Sequence, residues 1–391
     1  MTDFIDDHFE PLDLDLRKSH FGRFMDQKLT QDNLSFICDC ILNFTSASTT
    51  KEFTTRDIWD SGYFRTNIMN IYSKPDPATQ SENEYDKFIN QPLRLLSYAQ
   101  VLSDHKVGNK FVYKINNIQL LNYIALNQIN ALRFLDKYLT KVLSDSGELH
   151  RFNNFYAKYN KREIDNSDLV ELRDRYATFI RGNTDIKGGF EPNRIFNKVL
   201  NILSAGRRMP GVRRGRITPF PIIYKDLEYN AVNWRDVKKR KDIPRKEVEE
   251  LQFIKKLGDY EMQKAKGAVK SRHSPQSEIN DSLNEGVATQ VHHIFPDKVF
   301  PNYRATLENL ILLTASQHNT RAHPNNNTQL VDPEYQRVCL LAKADSIEES
   351  LVKSDGFYSL DAFVDMLNEL KGLKIPLGSS ISVVKDKLSQ Y

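Results

Sequence analysis

The spacing of apolar residues predicts a largely helical first half of the chain. Leu34, Ile37, Cys38, Ile41 and Leu42 recur at intervals of three and four, which indicates one buried helical face beginning near residue 29. Similar spacing, with Ser/Thr caps or Pro and Gly stops, predicts further helices. These cover residues 54–59, 84–102, 119–143, 194–203 and 244–272.

In one segment of this half, apolar and polar residues alternate, which is the pattern of a strand rather than a helix. Residues 108–115 begin with a Gly-Asn turn and continue with apolar residues at every second position, which predicts a β-wing. Three helices followed by such a wing, over about residues 29–116, are typical of a winged-helix module. An unspecialised helical domain is the alternative.

Composition narrows the class of protein. The 391 residues are 40% hydrophobic and 27% charged, which predicts an ordinary globular chain of two or three domains rather than a disordered one. No run approaches the ~18 apolar residues of a membrane span, and the acidic N-terminus does not look like a secretion signal. Three cysteines without a CxxC pair favour a reducing compartment, so we expect a cytoplasmic, prokaryotic protein that does not bind membranes.

The net charge of +4 is unevenly distributed. Residues 205–273 carry 19 Lys+Arg against 9 Asp+Glu, a net of +10, while the segments on either side are net negative. Residues 207–216 hold five of these arginines in a stretch broken by Gly and Pro, which predicts a loop that contacts DNA; a solvated linker is the alternative. The arginines are Arg207, Arg208, Arg213, Arg214 and Arg216.

Histidines carry the strongest chemical signal. Four of the nine fall between residues 292 and 323. Residues 290–296 predict a short strand ending in His292 and His293, and residues 306–314 a second strand entered by Asn309. A short helix capped by Ser316, bearing His318 and stopped by Pro324, is predicted to follow.

This strand–strand–helix order, with His-His, Asn and a distal His at those points, resembles the ββα-metal fold of HNH nucleases over about residues 285–330. The resemblance implies that His292 is a metal ligand, His293 the general base, Asn309 the residue that fixes the loop and orients the base, and His318 the second ligand. His323 or Asn319 completes the ligand set. His323 is five residues from His318 rather than the usual four, which is about 140° around an α-helix. The resemblance further implies a divalent cofactor, with Mg²⁺ expected and Mn²⁺ or Ni²⁺ able to replace it.

The surrounding sequence looks most like HNH restriction endonucleases of type II. We therefore expect an α+β multidomain protein that cuts double-stranded DNA at a specific site, leaving 5′-phosphate and 3′-hydroxyl ends. It would act as a homodimer, and a cognate DNA methyltransferase could be encoded nearby. The alternatives are a modification-dependent, homing or phage HNH DNase, or an inactive DNA-binding regulator.

Three segments are predicted from these observations. Residues 1–180 would form a helical, winged-helix-like DNA-recognition domain. Residues 181–285 would form a basic loop and helical linker. Residues 286–391 would form the nuclease domain with C-terminal helices. Because the chain lacks the cysteine pairs that hold structural zinc in many HNH proteins, hydrophobic packing is expected to brace this last domain.

Overall fold

A computed structural model describes residues 4–72, 74, 77, 82–229, 243–322 and 332–390. The fold is mixed α+β, in which helices predominate and the sheets are small, as predicted. The chain divides into an N-terminal unit, Met1–Ile254, and a C-terminal unit, Lys255–Tyr391. No helix in the described part of the chain has the length and apolarity needed to cross a membrane.

Eleven helices precede the basic segment in the described part of the N-terminal unit, and a short 3₁₀ turn, Gly22–Phe24, lies among them. They are α1 (Phe4–Phe9), α2 (Leu16–Ser19), α3 (Gln31–Thr45), α4 (Thr55–Asp60), α5 (Gly62–Tyr72), α6 (Glu82–Tyr98), α7 (Ile118–Leu126), α8 (Gln128–Asp145), α9 (Leu149–Asn160), α10 (Asn166–Asn183) and α11 (Glu191–Gly206). Helix α3 buries the predicted apolar face, since Leu34, Ile37 and Ile41 have no exposed surface.

A three-stranded antiparallel sheet packs beside these helices. Strand β1 (Phe53–Thr54) pairs with β3 (Lys110–Ile115), which also pairs with β2 (Leu102–Val107), so the order is β1-β3-β2. Gly108, at φ 61°, turns the chain between β2 and β3. The predicted wing is therefore a hairpin, and it starts at Leu102, where a helix was expected to continue.

The helix predicted over residues 119–143 is divided in two. Asn127 ends α7 and caps α8 in an extended conformation, and its side chain accepts a hydrogen bond from the Asn130 N–H. The apolar periodicity runs through both helices, which is why hydrophobic spacing missed the break. Asparagine favours such caps because its side chain replaces the missing helical partner.

The arginine-rich stretch was predicted to be a loop, and the structure corrects this. Strands β4 (Pro210–Arg213) and β5 (Arg216–Pro221) form an antiparallel hairpin. The 3₁₀ turn Tyr224–Leu227 follows, and then α12 (Ile243–His273) begins. Val212 and Ile217 pair across the two strands and are β-branched residues typical of a strand. Glycine and proline in this stretch had predicted a loop instead.

The described elements of the C-terminal unit begin with the end of α12. They continue with β6 (Gln290–His293), the 3₁₀ turns Pro301–Tyr303 and Leu307–Asn309, β7 (Leu310–Leu313), α13 (Ala315–Gln317), the π-helical turn His318–Ala322, α14 (Pro333–Lys353), α15 (Leu360–Lys371) and α16 (Ile381–Gln390). Strands β6 and β7 pair antiparallel. All four residues of β7 are buried.

A buried ion pair braces this unit, in addition to the apolar packing that was expected. The Lys343 ammonium lies 2.5 Å from Glu278 Oε2 and donates to the Tyr358 hydroxyl at 2.8 Å. Ser346 donates to the same Glu278 oxygen, and the Leu312 N–H donates to Glu278 Oε1 at 2.8 Å. Glu278 therefore ties strand β7 to helix α14.

Glu278 lies near the end of residues 181–285, which were predicted to form a basic loop and helical linker. The Glu278 N–H also donates to the Leu312 carbonyl, so the chain around Glu278 is part of the C-terminal unit. The division at Ile254 likewise differs from the three predicted segments 1–180, 181–285 and 286–391. Contacts across long sequence separations set these limits, and composition does not report them.

Candidate metal and general-base site

Strand β6 directs the two adjacent histidines to different surroundings. His292 pairs with Ile311 and His293 with Leu310. Because successive strand residues point to opposite faces, the two imidazoles cannot share one function. His292 is buried, at 7% exposure, and His293 is half-buried.

The structure brings His318 to His292. Their ring centroids lie 5.4 Å apart and the ring planes meet at 80°. Two imidazoles that converge without stacking are suited to binding one divalent cation, and histidine nitrogen is a common donor for such ions. These two predicted ligands, 26 positions apart in the sequence, are neighbours because β6 and the turn after β7 meet.

The turn that carries His318 is held by a buried amide. Thr314, rather than the predicted Ser316, caps α13, and its hydroxyl accepts from the Gln317 N–H. Gln317 is fully buried. It donates to the Ile279 carbonyl and to Asp281 Oδ1, both at 2.9 Å, and its Oε1 accepts from the Thr314 N–H. The position of His318 therefore depends on a residue that sequence analysis did not select.

Beyond Gln317 the backbone forms a π-helical turn, His318–Ala322. Hydrogen bonds in a π-helix join residues five apart, so positions i and i+5 lie nearly above one another. The 140° separation calculated for His318 and His323 was for an α-helix, whereas His318 begins a π-helical turn. His323 itself lies outside the described residues. Asn319, the other candidate ligand, is exposed, and its Oδ1 accepts a 3.2 Å hydrogen bond from His318 Nδ1.

Asn309 is completely buried directly before β7. Its Oδ1 accepts from the Phe295 N–H at 2.8 Å, and its Nδ2 donates to the carbonyls of Phe295 and Tyr303 at 3.0 and 3.1 Å. The Asn309 carbonyl also accepts from the Ile294 N–H. Asn309 therefore fastens both parts of the loop between β6 and β7, directly after His293.

The same loop provides the partner of His293. His293 Nε2 lies 2.9 Å from the Arg304 carbonyl oxygen. Because a carbonyl can only accept, Nε2 carries the proton and, in the neutral ring, Nδ1 carries the lone pair. Burial, together with the nearby positive charges of Lys266 and Arg304, lowers the pKa of His293, while the hydrogen bond and Asp297 oppose this. The lowered pKa favours the neutral ring.

Helix α12 supports Arg304 in turn. The Arg304 guanidinium forms an ion pair with Asp259, and it lies over Gly258, where an added Cβ would be 3.1 Å from Arg304 Nη1. The sequence pattern did not predict this ion pair. The one available signal was a glycine within a helical pattern, because such a glycine often marks a close approach. Lys266 lies on the same face of α12, seven residues after Asp259.

The predicted DNA-contacting arginines separate into two groups. Arg207 forms an ion pair with Asp136 at 2.9 Å and lies over the ring of Tyr156, so it supports the fold of the N-terminal unit. Arg208 is exposed just before β4. The other three, at the tip of the β4–β5 hairpin, are also exposed. They are Arg213, Arg214 and Arg216.

Within the described residues, no group of three or more His, Cys, Asp or Glu side chains could hold a metal ion. Of the predicted metal ligands, the described residues bring together the pair His292 and His318. The candidates for a third ligand are His323 and Asn319. None of the protein-family models, curated proteins or solved structures compared with this chain matches it.

Proposed function

We propose that this chain is a metal-dependent HNH endonuclease that hydrolyses double-stranded DNA at a specific site. The observation that carries the proposal is the arrangement around the β6–β7 hairpin. His292 and His318 converge, while the adjacent His293 is held separately by the Arg304 carbonyl. Phosphodiester hydrolysis needs these two functions, charge neutralisation and proton removal, at one phosphate.

His293 would act as the general base. Its Nε2 proton is engaged by the Arg304 carbonyl, so the Nδ1 lone pair is the one that can accept a proton from water. Asn309 positions this base indirectly, by fixing the loop that contains Arg304. The lowered pKa of His293 favours the neutral form that a base requires.

The donor set fits a divalent cation. His292 and His318 would hold it, with His323 or Asn319 completing the set, and Mg²⁺ is the expected ion, replaceable by Mn²⁺ or Ni²⁺. When bound, the cation would neutralise charge on the phosphate and the leaving oxygen. Imidazole ligands must be deprotonated to bind, so metal affinity should fall in acid.

Specific recognition would belong to the N-terminal unit. Helices α3–α6 and the sheet β1-β3-β2 resemble a winged-helix module with one helix more than the three expected, which supports DNA binding by this region. The exposed arginines of the β4–β5 hairpin add charge that suits a polyanion. A palindromic site cut on both strands would require a homodimer, and a host would need a cognate methyltransferase.

The test is incubation of the full chain with unmethylated plasmid and Mg²⁺, beside His293→Ala, His150→Ala and an EDTA sample. We expect discrete fragments from the wild type and from His150→Ala, a histidine of α9 remote in sequence from the candidate site. Removing a general base should slow cutting by at least about 100-fold. Retained cutting by His293→Ala would refute the assignment of the base.

Other outcomes separate the alternatives. Cutting of methylated plasmid alone would indicate a modification-dependent enzyme, and a smear would indicate a non-specific DNase. DNA binding without cutting under all these conditions would indicate an inactive regulator.

A further inference from the structure

The β4–β5 hairpin has one inward and one outward face. Val212 and Ile217 pair across the strands, and Val212 is buried at 6% exposure. Arg213 and Arg216 form the next pair, so their side chains lie together on the opposite face. Beyond Ile217 the register of the two strands is irregular, so alternation does not assign the faces of the later residues of β5. The hairpin therefore exposes two paired guanidinium groups and, four positions after Arg216, the ring of Phe220.

The charges on this face lack the compensation found elsewhere in the unit. Like charges directly opposite on paired strands repel each other. Arg207 has Asp136, but no ion pair within the described residues includes Arg213, Arg214 or Arg216. These three arginines instead surround a tight turn that keeps them exposed.

The turn between the strands is tight. Arg214 and Gly215 have φ values of 55° and 75°, which a two-residue hairpin of this type requires at both positions. The turn therefore holds the paired Arg213 and Arg216 directly at the tip of the hairpin.

Phe220 is 76% exposed, although a ring of this size is normally buried. The strands below it are firmly held. Asn201 accepts from the Val212 N–H at 2.7 Å and donates to the Val212 carbonyl, and Asn166 accepts from the Ile217 N–H. The Thr218 hydroxyl donates to the Phe220 carbonyl. Phe220 is thus displayed on a fixed support.

We propose that this hairpin enters the major groove of double-stranded DNA, with Arg213 and Arg216 on base edges or phosphates and Phe220 packed against a base edge. The inference rests on the proposal that the chain acts on DNA. Charge favours this occupant, since the outward face is positive and DNA is a polyanion. A two-stranded ribbon fits the major groove, and phenylalanine is suited to the methyl group of thymine.

The dimensions agree with such a contact. Arg216 and Phe220 are four positions apart, which is at most about 13 Å along a strand at ~3.3 Å per residue. At ~3.4 Å per base pair, the two side chains would reach across at most about four base pairs.

Binding can be measured without cleavage, by fluorescence anisotropy in EDTA on a duplex selected from a random pool by the wild-type chain. The variants are Arg213→Gln/Arg216→Gln and Phe220→Ala. Matched controls are Arg175→Gln, an exposed arginine of α10, and Phe190→Ala, whose ring is 82% exposed outside the hairpin. All of the altered side chains are exposed, so circular dichroism should show an unchanged fold.

We expect the double variant to bind about 100-fold more weakly and Phe220→Ala at least about fivefold more weakly, with both controls within twofold. Unchanged affinity of the hairpin variants would overturn the inference. Equal affinity for an RNA duplex would also overturn it, because the major groove of A-form RNA is too deep and narrow for a ribbon. Wild-type binding without Mg²⁺-dependent cutting would refute the nuclease and leave this inference standing.

Discussion

Replacing Asn309 by alanine should destabilise the C-terminal unit, because its side chain satisfies two backbone groups that have no access to water. The Phe295 N–H and C=O both bond to the buried amide, and the partly exposed Tyr303 carbonyl is its third partner. Each buried group left without a partner costs ~1–3 kcal/mol. The free energy of unfolding should therefore fall by about 3 kcal/mol. Alanine keeps the hydrogen bonds made by the backbone of residue 309 itself, so those bonds do not add to this loss.

Thermal unfolding, followed by circular dichroism or calorimetry, measures this loss. For a unit of this size, Lys255–Tyr391, a loss of 1 kcal/mol lowers Tm by about 4 °C, so we expect a decrease of about 12 °C. Cleavage should be assayed in parallel at a temperature where the variant is folded. Asn302→Ala, at an exposed asparagine of the same loop, is the matched control and should change Tm by about 2 °C or less.

Asn309→Asp distinguishes a structural role from direct metal ligation. A carboxylate keeps the acceptor for the Phe295 N–H but cannot donate to the carbonyls of Phe295 and Tyr303, so we expect a loss of stability close to that of alanine. A metal ligand would instead tolerate aspartate. A structural role of Asn309 is refuted if Asn309→Ala unfolds at the wild-type temperature, or if Asn309→Asp is both stable and active.

Three further outcomes are expected. Gly258→Ala should slow cleavage severalfold while leaving DNA affinity within twofold, because its Cβ would lie 3.1 Å from Arg304 Nη1; equal kinetics in a single-turnover assay would contradict this. Lys343→Ala should lower the unfolding free energy of the C-terminal unit by about 3–5 kcal/mol in urea, whereas Lys343→Met with Glu278→Gln should lower it much less; equal losses would be inconsistent with a buried ion pair. Burial lowers the pKa of Lys198 to about 8, so the folded state disfavours its charged form. This destabilisation is present at low pH and is relieved as pH rises from 8 towards the ordinary value of 10.5. The wild type should gain about 2 kcal/mol of stability relative to Lys198→Met between pH 8 and pH 10, and parallel pH profiles would disprove it.

Local patterns in the sequence were enough to predict much of the architecture. The buried face of α3 follows from apolar spacing alone, because a helix of 3.6 residues per turn fixes which side chains share a face. Strand β3 of the wing follows from alternation after a Gly-Asn turn, although β2 was not predicted, and the strand–strand–helix order around His292 follows from similar signals. The clustering of histidines also selected a pair that the structure places 5.4 Å apart.

Other features depend on contacts between distant residues, which local patterns do not encode. Gln317 holds the His318 turn through Ile279 and Asp281, and Glu278 meets Lys343 from 65 positions away. The arginine stretch is a hairpin rather than a loop because Asn201 and Asn166 bind its backbone.

The sequence by itself therefore determined which residues are candidates for the chemistry and which faces are apolar, since both follow from side-chain type and the local repeat of the backbone. Only the tertiary structure decided which buried polar groups satisfy one another, which arginine supports the fold and which arginines are exposed. Arg207 and Arg213 are equivalent in composition, yet Arg207 meets Asp136 and Arg213 lies exposed on the hairpin. A buried polar group must find its partner wherever the chain brings one, at any distance in sequence.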